Sequence, residues 1–210
     1  MWPWEHLIVS YILYSLISHT VFRESPSGLD ALAVVLASVL PDLIDKPLAW
    51  EYGIFDVGYA IGHSIFFAVP LAILVGMIAN VTARPRTSLA FGLSYLLHPP
   101  ADIIDAVFRQ GVLLIDLAFW PVTLVEGHPP GPSFFEAVFL LFGHYTSDLL
   151  AGNLSAYLRI QVGLAGFTIL VWLLDGAPVL RECLQVSTRA VGVVMERHTN
   201  SSSQNQPNRW

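Results

Sequence analysis

The chain is expected to be all-α, a polytopic helical membrane bundle of five to seven transmembrane helices, and three observations predict it. Of its 210 residues 54% are hydrophobic and only 12% are charged, with a mean hydropathy of +0.60, whereas soluble domains carry about 25% charged residues. Five apolar stretches approach the ~20 residues that a helix needs to cross hydrocarbon. Four of them carry His or Asp toward one end, and alternate threading brings those ends to a single face. Ionisable groups inside a membrane are costly, so such a set defaults to a functional reading.

The first segment, Leu7 to Phe22, opens with His6 and follows Trp2 and Trp4, an interfacial aromatic pair. The start, Met-Trp-Pro-Trp-Glu-His, lacks the basic region and cleavage site of a secretory signal, so the segment is expected to stay. The second, Leu29 to Ile44, closes on Asp42 and Asp45 at i,i+3. The third, Tyr59 to Ala79, opens near His63, and the fourth, Leu89 to Phe108, carries His98, Asp102 and Asp105 at i, i+4 and i+7. Each set therefore shares one helical face. Pro99 and Pro100 predict a kink or break after His98. Asp42-Leu-Ile-Asp45 and Asp102-Ile-Ile-Asp105 each close a helix pair, the pattern of two parallel hairpins.

Val112 to Val125 and Phe134 to Leu150 are shorter and interrupted by Asp116, Pro121, Glu136, His144 and Asp148, as in tilted spans or a re-entrant hairpin. Leu154 to Leu174 completes a transmembrane domain over residues 1–176, whose motif-bearing core is 5–121. Over residues 177–198, Val179, Leu180, Cys183 and Leu184 alternate at helical spacing with Arg181, Glu182, Gln185 and Arg189, the pattern of an amphipathic surface helix. Residues 199–210 are polar, rich in Ser and Asn, and read as a disordered tail.

A net charge of -6 without a Lys/Arg cluster argues against nucleic acid as a partner. Cys183 is the only cysteine, which excludes an internal disulfide and a thiolate cage, so a metal would take N and O ligands. Arg23, Arg84, Arg86 and the C-terminal arginines fall on one face, against Lys46 and Arg109 on the other. The bias places the N-terminus and the His/Asp ends on the extracytoplasmic side of the cell (plasma or inner) membrane and the C-terminus in the cytoplasm. At ~1.5 Å of rise per residue, His6, Asp42, Asp45, His63, His98 and Asp102 all lie within a band of about 10 Å in the outer half of a ~30 Å core.

His6, Asp42, His63, His98 and Asp102 are the candidate ligands of a divalent metal ion, zinc first, with Mn, Fe or Mg as alternatives. Asp45 and Asp105 each sit one turn from a candidate ligand and are the candidate catalytic general bases. A site at this depth suits a lipid-like substrate of the surrounding bilayer, with a phosphoester or other ester bond. His144 and Asp148 read as a solvated helix end, and His19 and His128 as structural. Two further readings use the same residues: a transporter passing cations or protons along the carboxylates, and a scaffold that keeps them only to brace the bundle.

Glu5-His6, Leu40-Pro41-Asp42 with Asp45, Gly62-His63-Ser64, and Ser94-Tyr95-Leu96-Leu97-His98 with Asp102 resemble the motifs of the YdjM-like family of membrane-bound metal-dependent hydrolases, also described as LexA-binding inner-membrane proteins. Gly111-Val112 and Trp120-Pro121 resemble its later motifs, so the likeness runs from about residue 5 to 121. It implies a multispanning protein with a divalent metal on His6, Asp42, His63, His98 and Asp102, and hydrolase activity. The chain departs from the family pattern where Asp45 comes one residue late, Lys46 stands where a His would follow, and no His-Arg-Gly precedes Gly62-His63.

Overall fold

The computed structural model describes residues 1–125 and 133–188, and every regular element among them is helical. Helix α1 spans Pro3–Ile17 and passes into a π-helical turn over Ser18–Phe22. Helix α2 (Gly28–Trp50) begins with a reciprocal cap: Ser27 Oγ accepts from the Asp30 N–H at 3.2 Å, and the Asp30 carboxylate accepts from the Ser27 N–H at 3.1 Å. Helices α3 (Ile65–Val81) and α4 (Pro85–Gln110) complete the core, and α5 (Phe134–Ala151) and α6 (Ala156–Leu174) follow. Residues 180–188 are helical as well. The rest of the expected amphipathic segment, and the tail at 199–210, lie outside the described residues.

The elements differ from the sequence reading in four places. Helix α2 runs on through Pro41 and Pro47 to Trp50, so Asp42 and Asp45 sit inside it and not at its end. Helix α3 starts only at Ile65, and the residues before it fold back onto α2. Gly62 makes that approach possible, because a Cβ there would lie 2.7 Å from the Pro41 carbonyl oxygen. Helix α4 is continuous through Pro99 and Pro100. Those prolines remove two backbone donors, but α4 is packed against α1, α2 and α3, and that packing carries the helix across the gap. Val112 to Val125 forms no spanning helix, only a 3₁₀ turn at Ile115–Ala118.

Polar contacts give the directions. Tyr11 and Ser15 in the second half of α1 bond Asp175, just after α6, while Glu5 at the start of α1 bonds Tyr157 and Gln161 at the start of α6. The two helices therefore run parallel. Asp30 and Thr87 join the starts of α2 and α4, which run the opposite way. Helix α5 meets Glu51 and Trp50 through Phe134, and Trp2 and Trp4 through Tyr145. All four partners belong to the His6 end of the bundle, so α5 lies across that end and not along its length.

Among the described residues, helix α6 alone is long and apolar enough to cross a membrane by length and composition; α3 is apolar but has 17 residues. The longer α2 and α4 carry charges that they turn inward. Asp42, Asp45, His63, His98 and Asp102 are buried, while Leu36, Leu43, Phe66, Ile73 and Ile104 face outward. Between the helices the contacts are made by small residues, among them Ala31, Ala37, Ala68 and Ala90, together with Tyr14 and Tyr95. Small side chains let helix backbones approach closely where no hydrophobic drive separates helix from surroundings.

Candidate metal centre

Helices α1, α2 and α4 and the loop before α3 bring His6, Asp42, His63, His98 and Asp102 into one buried cluster. Its geometry begins with the orientation of two imidazoles. His98 Nδ1 lies 2.7 Å from the Ser38 carbonyl oxygen. A carbonyl only accepts, so Nδ1 carries the proton and Nε2 turns a lone pair inward. His63 Nδ1 lies 2.8 Å from Asp45 Oδ2, and that carboxylate likewise takes the Nδ1 proton and aims Nε2 at the same point.

Asp45 holds the loop as well as the ring. Its carboxylate accepts from the backbone N–H groups of Ala60 at 2.7 Å, Gly62 at 2.8 Å and His63 at 3.1 Å. The sequence reading offered Asp45 as a general base. Four donors already occupy its oxygens, and the carboxylate faces away from the cluster toward the loop, so it has the position of an orienting group. Ser64 continues the arrangement: its Oγ accepts from the Phe66 N–H at the start of α3 and donates to the Trp120 carbonyl at 2.6 Å. The Gly-His-Ser and Trp-Pro motifs thus meet in space.

The two Nε2 atoms lie 3.1 Å apart. His63 Nε2 is 3.4 Å from Asp42 Oδ1 and 3.4 Å from Asp102 Oδ2, and His98 Nε2 is 3.6 Å from Asp42 Oδ1 and 3.5 Å from Asp102 Oδ2. Asp42, His63 and His98 form one triad of metal-ligating type, and Asp102 Oδ2 lies within 3.5 Å of both Nε2 atoms. Ligands at 2.0–2.2 Å from a tetrahedral ion are separated by roughly 3.3–3.6 Å. Both oxygens of Asp42 and Oδ2 of Asp102 are buried without a hydrogen-bond donor. One proton shared by the two imidazoles would satisfy the nitrogens and leave those oxygens orphaned, whereas a cation among the four would also satisfy Asp42 Oδ1 and Asp102 Oδ2. The residues present therefore fit a divalent ion.

His6 stands beside this set. Its ring stacks on His98 with centroids 3.6 Å apart, its Nε2 is 3.2 Å from Asp102 Oδ1, and both of its ring nitrogens are buried without a hydrogen bond. His6, His98 and Asp102 form a second triad of metal-ligating type. Lys46 Nζ lies 2.7 Å from Asp42 Oδ1 without hydrogen-bond alignment and supplies positive charge on the outer side. Asp105 is outside the cluster, at the mouth, 3.3 Å from the Met1 amine and 3.6 Å from Arg109. Burial opposes the charge on that amine, but Asp102 and Asp105 outweigh it and hold its pKa above the ordinary value.

His144 and Asp148 are exposed and away from the cluster, and His128 lies outside the described residues. His19 pairs with Asp175 at 2.6 Å. The sequence reading gives Glu5 no role beyond the Glu5-His6 motif; it accepts from Tyr157 and Gln161, both at 2.6 Å, and from the Trp2 N–H at 2.7 Å, fixing the turn that carries His6. A carboxylate directly before a candidate ligand was the available signal. The Ser38 carbonyl had none, since backbone acceptors leave no mark in side-chain pattern.

Among known proteins, the family model described as YdjM inner membrane protein matches residues 1–179. No curated protein and no solved structure matches the chain.

Proposed function

The chain belongs to the YdjM inner membrane protein family, and from that premise we propose that it is a membrane-embedded metal-dependent hydrolase. The observation that carries the proposal is the convergence of His63 Nε2, His98 Nε2, Asp42 and Asp102, four buried acceptors with too few donors among them. A divalent ion held there, zinc by the donor set, supplies Lewis acidity that polarises a scissile ester and lowers the pKa of water toward neutrality.

The chain's own residues do the rest. Asp45 and the Ser38 carbonyl keep two imidazoles aimed inward; Lys46 offsets the charge of Asp42; His6 adds a further donor at Asp102. Asp105, paired with the Met1 amine and Arg109 and one turn from Asp102, is the carboxylate we assign as general base. The substrate is a lipid-linked phosphoester or ester reached from the extracytoplasmic face, with α1, α2, α3, α4 and α6 crossing the membrane and α5 lying over the site. The inverted distribution of polar and apolar residues supports that placement.

The test is elemental analysis of detergent-purified protein, with His98→Ala and Asp102→Asn beside wild type. The proposal expects bound metal in wild type and its loss in both variants, with hydrolysis of a lipid phosphoester panel following the metal. Equal and negligible metal in all three would remove it.

A further inference from the structure

A cavity of about 320 Å³ opens beside the cluster, between the first turn of α1, the second half of α2, and α5. Small-molecule sites occupy ~300–1000 Å³. Its walls are apolar and aromatic, with Trp4, Leu43, Trp50, Val138, Leu141 and Phe142 prominent. Asp42 also lines it, so the cavity borders the four-acceptor cluster directly. The charged side chains among its described lining residues are Asp42, Lys46 and Arg109. Both basic groups are held by aromatic rings, Lys46 Nζ 5.9 Å from the Trp50 centroid and the Arg109 guanidinium carbon 4.9 Å from that of Tyr157.

The outer edge of the cavity is formed by Leu43, Val138 and Leu141, each about half exposed on the apolar flank of the molecule. The cavity therefore opens sideways onto the apolar flank of the molecule. An apolar slot of this size, with Lys46, Arg109 and the Met1 amine and the proposed ion site beside it, has the chemistry of a single lipid. We infer that the groove seats the hydrocarbon chain of a phosphate-headed lipid, with Lys46 and Arg109 meeting the charge of its head beside Asp42. The inference deepens the hydrolase reading and rests on it for the fate of the head, while binding is measured separately.

The probe is hexadecyl phosphate with a diazirine in its chain, photolysed on full-length protein in detergent and mapped by mass spectrometry. Crosslinks are expected on the α2 and α5 residues of the groove. Unlabelled hexadecyl phosphate should compete about tenfold better than hexadecanol, as charge-assisted contacts to one head group imply. Glycerol phosphate should not compete. Lys46→Gln should shrink the preference for phosphate over alcohol severalfold, and Leu141→Trp, or Val138→Trp at the same edge, should cut labelling about fivefold by filling the slot.

Labelling spread evenly over the outward faces of α3 and α6, equal competition by hexadecanol, or labelling indifferent to both tryptophan variants would overturn the inference. Competition by glycerol phosphate equal to that of the lipid would assign a water-borne phosphoester and overturn it too. Metal content read on the same samples separates the two proposals. Groove labelling without bound metal removes the hydrolase and keeps the lipid seat, and metal without groove labelling does the reverse.

Discussion

The two ends of this bundle are built from the same residue types and differ in how their hydrogen bonds close. At the end where α1 finishes, the buried carboxylate of Asp175 accepts from Tyr11 at 2.9 Å, Ser15 at 2.8 Å and His19 at 2.6 Å. Every partner there is a donor, and the group is complete as a clamp between α1 and α6. At the end where α1 begins, Asp102 Oδ1 accepts from the Met1 amine at 2.7 Å, but Asp102 Oδ2 and Asp42 Oδ1 have no aligned donor and face imidazole nitrogens whose protons have been turned outward to Ser38 and Asp45. A buried acceptor without a donor costs about 1–3 kcal/mol, and more when charged. The contrast teaches that burial of His and Asp in this fold does not distinguish a brace from a site. The balance of donors against acceptors does.

The largest effect that would break or confirm the contrast is loss of the ion. His98→Ala and Asp102→Ala are each expected to lower metal affinity by more than about 100-fold, read by equilibrium dialysis of detergent-purified protein. Chelation should lower the melting temperature of wild type by mass action and leave that of His98→Ala unchanged; an equal drop in both would place the stabilising ion elsewhere. Asp45→Asn removes the acceptor that aligns His63, and a weakening of about 10–100-fold in metal affinity is expected, with the protein still folded.

At the opposite end the expectation reverses. Asp175→Asn should cost about 1–3 kcal/mol of stability while metal content stays at the wild-type level. Metal loss in that variant would mean the two ends are coupled. Smaller still, His144→Ala and Asp148→Ala should shift stability by no more than about 0.5 kcal/mol. The last is a pH effect at Glu24, whose carboxyl the hydrogen bond and charge of Arg86 hold below its ordinary value. A depressed pKa gives stability that is complete above the ordinary glutamate range and is lost as pH falls through the folded value. Glu24→Gln should therefore lower thermal stability slightly at neutral pH and converge with wild type as the pH falls through the folded value, which flattens the low-pH edge.

Much of the candidate site was legible because its parts repeat at helical spacing. Asp42 with Asp45, and His98 with Asp102, share faces that periodicity alone predicts, and counting rise along each helix brought them to one level. Asp45 shows where this reading stopped. Spacing put it beside a candidate ligand, and only the loop folded back through Gly62 made it the acceptor of Ala60, Gly62 and His63. The continuity of α4 through Pro99 and Pro100 was hidden for a related reason, since a local rule disfavours helix there and packing by neighbouring helices overrides it. Glu5 and Asp175 find their partners more than 150 residues away, beyond the reach of any pattern within one segment. Helix α5, read as a span or hairpin, lies across the bundle end because its contacts with Glu51, Trp50, Trp2 and Trp4 are there.

Composition and periodicity by themselves determined an all-helical chain with apolar outer faces, the residue types available for coordination, and the absence of a thiolate among them. Those properties are local, set by side-chain identity and by 3.6 residues per turn. Tertiary structure alone decided which imidazole nitrogen faces inward, which carboxylate oxygens lack an aligned donor, and which cavity borders them. Each of these depends on groups from different helices meeting within hydrogen-bond distance, and a proton on one ring nitrogen is placed by whatever acceptor the rest of the chain brings to it.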